Sequence, residues 1–533
     1  MTVHSTELPL KLGSKVENRP DLTGRERLVS NVLFSWAAQS VFIVSGFVMP
    51  RMIDDRLGQE TLGIWDFSWS LVSYFELVRA SIGSSVNRYI AKYWATGDLS
   101  AVNRIASSAA CVLGAGGLLV MGLTIVVSMF LPRLFAHRLG QQVGEAQGVV
   151  FFLGLAIAVQ VSFSVFNGVL TGCHRWDLHN INTSGWHAAT VVGMIVALLA
   201  GKGLIAQAAI TLAGELMAAV RRVILARRVC KGLQLRPSLA ERRTIAELFS
   251  FGGKTLLPSV SDLLLNQTTS ILLTAYIGPA ALALYSRPRA LAYCMKTLVN
   301  KMAMTLTPTI SALQSKDDVK GIGELAVKSA RYALYFCLPM VLLLTVFGES
   351  VMRLWMGPRY ANGWLPAIFA LLNLPVLMQL PTLFILAGLN EHGRAGAARF
   401  VASVCSAVLA VIMLHLFHGG LIGTALAVML PLTILNVVDI PRLICRRVGL
   451  NMGRYFGQVC WGPILCALPF AACLIASRIV FHTRPLTGLI AGTVVGGVIL
   501  AILYWWYVVP DRVRRRMSCL WRTTTSKGVM ETR

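Results

Sequence analysis

Charged residues are scarce in this sequence: Asp, Glu, Lys and Arg make up 14% of its 533 positions, and 55% of the positions are apolar. A soluble globular protein carries about 25% charged residues. Together with a mean hydropathy of +0.65, this composition excludes a soluble domain. The first 27 residues are polar and contain no apolar run, so we expect no cleaved signal peptide. The sequence predicts an integral membrane protein.

Motifs for metal binding, disulfide pairing and nucleotide hydrolysis are also missing. The 11 cysteines include no CxxC pair, so we expect neither a disulfide nor a metal site. The "GGKT" at 252–255 resembles the end of a P-loop, but the first glycine of that motif would fall on Leu248. The sequence contains no HExxH and no GxSxG. We therefore expect no cofactor and no ATP-driven pump.

The sequence is instead rich in long apolar segments. Fourteen of them come close to the length of about 20 residues that spans hydrocarbon as a helix. They lie at 28–50, 61–83, 105–131, 147–171, 181–200, 203–220, 246–277, 279–313, 330–347, 362–388, 396–417, 419–440, 455–477 and 486–509. The predicted fold class is an all-α integral membrane protein with about 14 transmembrane helices and short outer loops.

The net charge of +25 is explained by topology. Most of the Lys and Arg residues fall on one set of alternating loops, which the positive-inside rule assigns to the cytoplasm. We therefore predict that both termini are cytoplasmic, and we expect no nucleic-acid partner.

An internal repeat divides the chain. "RLGQETLGIWDF" (56–67) aligns without gaps to "YIGPAALALYSR" (276–287) at an offset of 220 residues. Six helices per repeat is an even number, which predicts two lobes of the same orientation related by a pseudo-two-fold axis. The predicted parts are a cytoplasmic segment 1–27, an N-lobe 28–222, a linker 223–245, a C-lobe 246–441, a helix pair 442–509 and a basic cytoplasmic tail 510–533.

The eighth segment carries cations where lipid would make them costly, at about 2.5–3.5 kcal/mol each near the bilayer centre. Helical spacing places five polar side chains on one face: Tyr285, Arg289, Tyr293, Lys296 and Asn300. That segment contains no acid to neutralise them, and a proline interrupts it, as is typical where backbone lines a cavity. Arg287 and Lys301 add two cations; Lys301 either snorkels to the headgroups or faces the same cavity.

Other segments contribute polar residues with two possible roles. Arg79 is three residues from Glu76, so the two side chains either neutralise each other or Arg79 faces the cavity. Asp262 and Asn266 share a helix face and either bind Na⁺ or a proton or pack as hydrogen-bonded groups. Asp66 is a further candidate for ion coupling.

Arginine binds phosphate with two hydrogen bonds, so a cationic cluster between two lobes indicates a large anionic ligand. The predicted substrate-binding cations are Arg79, Arg287, Arg289, Lys296 and Lys301. The predicted cavity aromatics are Tyr285 and Tyr293, and the ion-coupling candidates are Asp262, Asn266 and Asp66.

Two sequence stretches resemble a known family. "LGQETLGIWDFSWSLVSYF" (57–75) and "SSVNRYIAKYWATGDLSAVNRI" (84–105) resemble the polysaccharide transporters of the MOP exporter superfamily. In that family LG-xxx-(L/Y)G-x-(Y/W) opens helix 2, and AKY-xx-GD follows it inside the cell. Weaker matches lie at 306–318 and 386–400, and the resemblance spans roughly 28–441, with the 14-helix plan of lipid II flippases.

The resemblance implies a flippase for undecaprenyl-diphosphate-linked oligosaccharide in the bacterial inner membrane, working by alternating access with Na⁺ or H⁺ coupling. It implies that Arg79 and Arg287 or Arg289 match essential arginines of lipid II flippases. The first segment lacks an interior arginine, which favours an O-antigen or exopolysaccharide unit over the peptidoglycan precursor. The implied partners are the lipid-linked glycan, the bilayer, and a polysaccharide polymerase with its chain-length regulator.

Three other functions compete with the flippase. A multidrug or metabolite antiporter of the same superfamily handles cations and needs an acidic cavity. A membrane polysaccharide polymerase or ligase needs catalytic groups displayed outside the membrane, usually on a long loop. A membrane scaffold with an inactive cavity is the third.

Overall fold

The computed structural model describes residues 28–253, 256–304, 306, 310, 313–314, 318–389, 391–509, 511 and 514, and within them all regular structure is helical. The predicted segment 1–27, nearly all of the tail 510–533 and much of the weak family match at 306–318 lie outside these residues.

Six helical rods form the N-terminal half. They are α1 (Leu28–Leu57), α2 (Gln59–Val72 and Leu77–Ala95, joined by a 3₁₀ turn at Ser73–Glu76), α3 (Leu99–Leu139), α4 (Val143–Ser162 and Ser164–Gly172), α5 (Trp176–Leu199) and α6 (Leu204–Val229).

Six rods form the C-terminal half and two more follow it. After a linker helix, Arg242–Gly253, they are α7 (Leu256–Leu263 and Thr269–Tyr276, joined by a π turn at Leu264–Thr268), α8 (Pro279–Ala303), α9 (Val319–Met356), α10 (Trp364–Gly388), α11 (His392–His415), α12 (Gly420–Ile434 and Ile440–Val448, joined by a π turn at Leu435–Asp439), α13 (Met452–Val480) and α14 (Pro485–Tyr507).

The rods differ in how apolar they are. In the described ranges, nine helices are long and apolar enough to cross a membrane by length and composition, one of them combining α3 with α4. The rods outside this set are α2, α6, α7 and α8. Each has charged residues well inside it, such as Asp66, Glu215, Asp262 and Arg289. The predicted fold class is confirmed: this is an all-α, multi-pass membrane protein of about 14 helices in two six-helix halves and a final pair.

Several helix ends differ from the hydropathy prediction. α2 continues to Ala95 and α9 starts at Val319, because polar turns extend both helices past the apolar stretches that predicted them. The predicted seventh segment, 246–277, is two helices. The first of them, the linker helix, packs on the second part of α2 and on α3. The Ser85 hydroxyl fixes it there by donating to the Leu248 carbonyl at 2.8 Å.

Matching caps support the predicted offset of 220 residues. Gly58 and Gly278 precede α2 and α8 with φ of 92° and 127°, a left-handed region that favours glycine. Asp98 and Asp318 cap α3 and α9: their carboxylates accept from the N–H of Ala101 at 2.9 Å and of Gly321 at 2.8 Å. The first of these bonds lowers the pKa of the Asp98 carboxyl. The two halves therefore begin corresponding helices with the same devices, while the exact lobe boundaries stay a prediction.

The halves are joined at the end of the molecule where α1 meets α2 and α7 meets α8, here called the α1–α2 end. The Gln59 amide donates to the Ala280 carbonyl at 3.1 Å. Next to it, the Tyr360 hydroxyl donates to the Asp54 carboxylate at 2.7 Å. The Trp355 indole donates to the Phe47 carbonyl at 2.8 Å. These bonds tie α1 and α2 to α8 and to the α9–α10 turn.

Gly63 permits the closest approach of α2 to α8. A Cβ on Gly63 would lie 1.9 Å from the Pro279 carbonyl oxygen. Because that neighbour is backbone, Gly63→Ala should push the helices apart at a cost of about 1–3 kcal/mol. Gly83→Ala, on the same rod with nothing within 4 Å of its Cβ, is the matched control. Thermal unfolding in detergent should show a lower Tm for Gly63→Ala alone; equal shifts would contradict this packing.

Candidate functional site

A cavity of about 1090 Å³ lies between the two halves, with walls from α2, α7, α8, α10 and α11. It follows α8 from Arg287 to Lys301, about 21 Å at a rise of 1.5 Å per residue. The predicted residues that line it are Asp66, Asp262, Asn266, Arg287, Arg289, Tyr293, Lys296 and Lys301.

The wall carries more positive than negative side chains. Its cations are Arg287, Arg289, Lys296, Lys301 and Arg399, and its carboxylates are Asp66, Glu76 and Asp262. Since α8 itself has no acid, every carboxylate on the wall comes from α2 or α7. The cations nevertheless differ greatly in how far these carboxylates neutralise them.

Arg287 is the most completely neutralised cation. Its guanidinium donates to the Asp66 carboxylate in an ion pair between α8 and α2. Arg287 is only 5% exposed, so the pair is nearly removed from the cavity. This pair belongs to the set of bonds that joins the halves near the α1–α2 end. The prediction of cations without acids therefore does not hold for Arg287.

Arg289 is held by neutral groups. It donates to the Asn266 carbonyl at 2.8 Å and to the Ser270 hydroxyl at 3.3 Å. Its guanidinium carbon lies 5.7 Å from the centre of the Tyr285 ring. No carboxylate of the described chain is within ion-pair distance of it. Arg289 thus brings to the wall a positive charge that has no ion-pair partner among the described residues.

The backbone of α7 makes this arrangement possible. Asn266 lies in the π turn Leu264–Thr268. A π turn shifts the hydrogen-bond register of a helix and is often found at functional sites. Here the Asn266 carbonyl is turned to the Arg289 side chain, and the Asn266 amide donates to the Asp262 carbonyl at 2.8 Å.

Asp262 is shared by two cations. One carboxylate oxygen, Oδ1, accepts from Arg399 Nη2 at 2.5 Å and from Lys296 Nζ at 3.4 Å. Both donors are more buried than the acid: their side chains are 20% and 24% exposed, against 47% for Asp262. All three side chains line the cavity, and the acid is the more exposed member of each ion pair.

Arg399 was missed by the sequence analysis. It lies in the eleventh apolar segment, but its position near the segment's start suggested a cytoplasmic loop. The sequence signal was an arginine inside an apolar segment, since a charged residue there usually faces polar groups and not lipid. The structure brings it to the cavity wall on α11, opposite Lys296 of α8.

Two predicted site residues do not line the cavity. Arg79 bonds Glu76 at 3.2 Å, and Glu76 is the member of the pair on the wall. This pairing is one of the two roles that the i,i+3 spacing of Glu76 and Arg79 predicted.

Tyr285 is fully buried behind Arg289, with its ring edge-on to Phe369 at a centroid distance of 5.1 Å. It shares the face of Arg289 but lies where α2 and α10 cover α8.

Tyr293 and Lys301 complete the α8 wall. Tyr293 is 60% exposed, so one predicted cavity aromatic does face the cavity. Lys301 lies on the wall at the end remote from Arg287 and forms no ion pair with the described residues. Among the described residues it is, after Arg289, the second wall cation that has no ion-pair partner.

A side pocket of about 70 Å³ opens beside Asp262 and Arg399. It is lined by amides of α10 and α12, Asn373 and Asn436, and Asn436 lies in the second π turn. The side-chain oxygen of Asn436 and the Nε of Arg399 are buried without a hydrogen-bond partner in the described protein. Polar atoms that form no hydrogen bond with the described protein therefore lie beside the Asp262 ion pairs.

Comparison with known proteins agrees with the predicted resemblance. A family model described as "Polysaccharide biosynthesis protein" matches residues 106–365. The uncharacterized membrane protein EpsK of Bacillus subtilis (strain 168) is 22% identical over 445 residues, covering 80% of this chain and 86% of EpsK.

Two solved structures are similar in fold. An inward-facing multidrug resistance MATE family transporter of the MOP superfamily superimposes with a TM-score of 0.66 at 16% identity, covering 77% of this chain and 95% of that one. The lipid II flippase MurJ, in an inward closed conformation, gives a TM-score of 0.61 at 14% identity, covering 89% and 99%. The chain thus has the same fold as these two transporters, and its residues 106–365 are similar to polysaccharide biosynthesis proteins.

Proposed function

We propose that the protein is a flippase for undecaprenyl-diphosphate-linked oligosaccharide repeat units of an O-antigen or exopolysaccharide. It would work in the bacterial inner membrane, with both termini in the cytoplasm, as a transporter rather than an enzyme. The observation that carries the proposal is the uncompensated charge of Arg289 on the wall of the central cavity. The flippase named among the structural relatives adds support from the fold.

The size and charge of the cavity suit such a substrate. Its volume of about 1090 Å³ exceeds the range of about 300–1,000 Å³ for ordinary small-molecule sites. A diphosphate brings about two negative charges, and hydrogen bonds from arginine to phosphate are among the strongest in proteins. A cationic drug would meet an excess of positive side chains, so this wall disfavours the antiporter alternative.

Alternating access would use the two ends of the molecule in turn. Bonds between the halves, including the Asp66–Arg287 ion pair, hold the α1–α2 end together. For the head group to leave there, these bonds must break while the other end closes. In this scheme Arg289 binds the phosphate of the substrate, and Arg287 keeps the two halves joined through its ion pair with Asp66. The polar cavity spares the head group the cost of crossing hydrocarbon, which is tens of kcal/mol by a Born estimate for a bare charge.

Coupling to an ion gradient is part of the proposal. Of the three candidates, Asp66 is engaged with Arg287, and the Asn266 amide is engaged with backbone. Asp262 is the most exposed of the acids that bond cavity cations. We therefore assign coupling to Asp262. A polysaccharide polymerase and a chain-length regulator are the expected functional partners.

Substitutions of Arg289 test the phosphate site. Arg289→Lys should retain partial transport because it keeps the charge, whereas Arg289→Gln should lose most of it and Arg289→Glu all of it. A buried charge contact of this kind is worth about 2–5 kcal/mol, enough to lower flux many-fold. Each variant is expressed in a strain from which the gene is deleted. Inactive variants should accumulate lipid-linked repeat units on the inner leaflet although their protein levels in the membrane are normal. Arg359→Gln, on an exposed turn, is the matched control. Equal transport by all variants would overturn the phosphate role.

Arg287 should behave differently from Arg289. Arg287→Gln leaves Asp66 without its partner in a nearly buried site, which costs about 3–5 kcal/mol. We expect a lower Tm and less protein in the membrane. The double variant Asp66→Asn/Arg287→Gln should recover part of that stability, because no charge is left unpaired. If Arg287→Gln had the same Tm as the wild type, the ion pair would not stabilise the joined halves.

Cysteine labelling tests the orientation. Cysteines introduced at Gln141, Arg359 and His482 should react with an impermeant maleimide in intact cells, whereas cysteines at Thr96, Arg236 and Arg447 should react only after permeabilisation. All six positions are exposed, so access depends on the side of the membrane. The reverse pattern would place both termini outside.

A further inference from the structure

We propose that Asp262 is a built-in competitor of the substrate: a bound diphosphate displaces its carboxylate from Arg399 and Lys296, and the freed carboxylate takes up one proton from water. This inference rests on the proposed function, since it requires that a diphosphate enters the central cavity. It assigns Arg399 to the phosphate site, and it makes substrate loading and proton uptake a single exchange.

The geometry of the acid and its two cations supports displacement. Both cations bond the same carboxylate oxygen, at 2.5 Å from Arg399 and 3.4 Å from Lys296. The acid is about twice as exposed as either cation. Both cations also line the cavity, so a phosphate that enters it can bond them and compete with the carboxylate for the same donors. It would offer them more negative charge and more acceptor oxygens than the single carboxylate does.

Proton uptake follows from the charges that would remain around Asp262. Once its two cations bond phosphate, Asp262 would face the negative charges of the substrate, and a nearby like charge disfavours the ionised form of a carboxyl group. The neighbouring side pocket of about 70 Å³ has room for water that could deliver the proton. The titratable and charged groups around Asp262 are Arg289, Tyr293 and Lys296 on α8, Arg399 on α11 and Glu76 on α2.

A proton suits this place better than Na⁺. Sodium needs several oxygen ligands, whereas the nearest side chains to Asp262 are two cations.

Calorimetry with inorganic pyrophosphate tests the exchange on the purified, full-length protein in detergent. Titrations in two buffers of different ionisation enthalpy give the number of protons taken up on binding. Wild-type protein should take up about one proton more than Asp262→Asn. Comparing the two proteins cancels the ionisation of pyrophosphate itself. Asp262→Asn should also bind pyrophosphate about tenfold more tightly, on the scale of one charged hydrogen bond, because it lacks the competing charge.

Glu76→Gln is the matched control. Glu76 lines the same cavity, but it bonds Arg79, which is not on the wall. If negative charge in the cavity merely weakened anion binding, both variants would tighten pyrophosphate equally, and that result would overturn the inference. Displacement instead predicts a much smaller change for Glu76→Gln, with proton uptake as in the wild type.

A measurement on the wild-type protein alone avoids dependence on the folding of a variant. Infrared difference spectra on adding pyrophosphate should show the carbonyl band of a protonated carboxylic acid, shifted in D₂O. Absence of this band, or unchanged or weaker binding by Asp262→Asn, would overturn the displacement while leaving the flippase proposal standing. If neither pyrophosphate nor undecaprenyl diphosphate binds the wild type, both proposals fail.

Discussion

The energetic cost of an ionised side chain in a low-dielectric membrane governs the arrangement of this cavity. A charge at the bilayer centre must face water, meet an opposite charge, or be held by dipoles. The chain uses all three solutions for neighbouring cations. Arg287 is paired with Asp66, Lys296 and Arg399 share Asp262, and Arg289 is held by a carbonyl and a hydroxyl. The polar rods α2, α7 and α8 are tolerable in a membrane because they face one another across the cavity.

Irregular backbone occurs where these charges need acceptors. The 3₁₀ turn of α2 and the π turn of α7 contribute wall residues to the cavity, and the π turn of α12 borders the side pocket. The acceptor carbonyl of Arg289, that of Asn266, lies within one of these turns.

Periodicity predicted the elements of the fold because it is a local property of the sequence. The α8 face of Arg289, Tyr293 and Lys296 could be predicted for that reason, as could the helix number and the repeat. The burial of a side chain and its ion-pair partners could not be predicted, because they depend on helices that are distant in sequence. Tyr285 has the right phase but is covered by α2 and α10. The spacing of Arg79 allowed either pairing with Glu76 or a place on the cavity wall, and it could not choose between them; the structure shows the pairing. The partners of Asp262 come from helices distant in sequence, so spacing within α7 did not reveal them.

The graded neutralisation of these cations has a consequence for transport. A cavity of uniformly free cations would bind a diphosphate too tightly to release it, and a cavity of fully paired cations would not bind it. This cavity lies between these extremes. Arg287 is paired with Asp66, Arg289 has no ion pair among the described residues, and Lys296 and Arg399 share the carboxylate of Asp262. The free arginine gives initial affinity, and the shared acid limits it, because each bond gained by phosphate costs one lost by Asp262. Competition within the wall can therefore keep the affinity low enough for release, while the Asp66–Arg287 pair separately controls when the α1–α2 end opens.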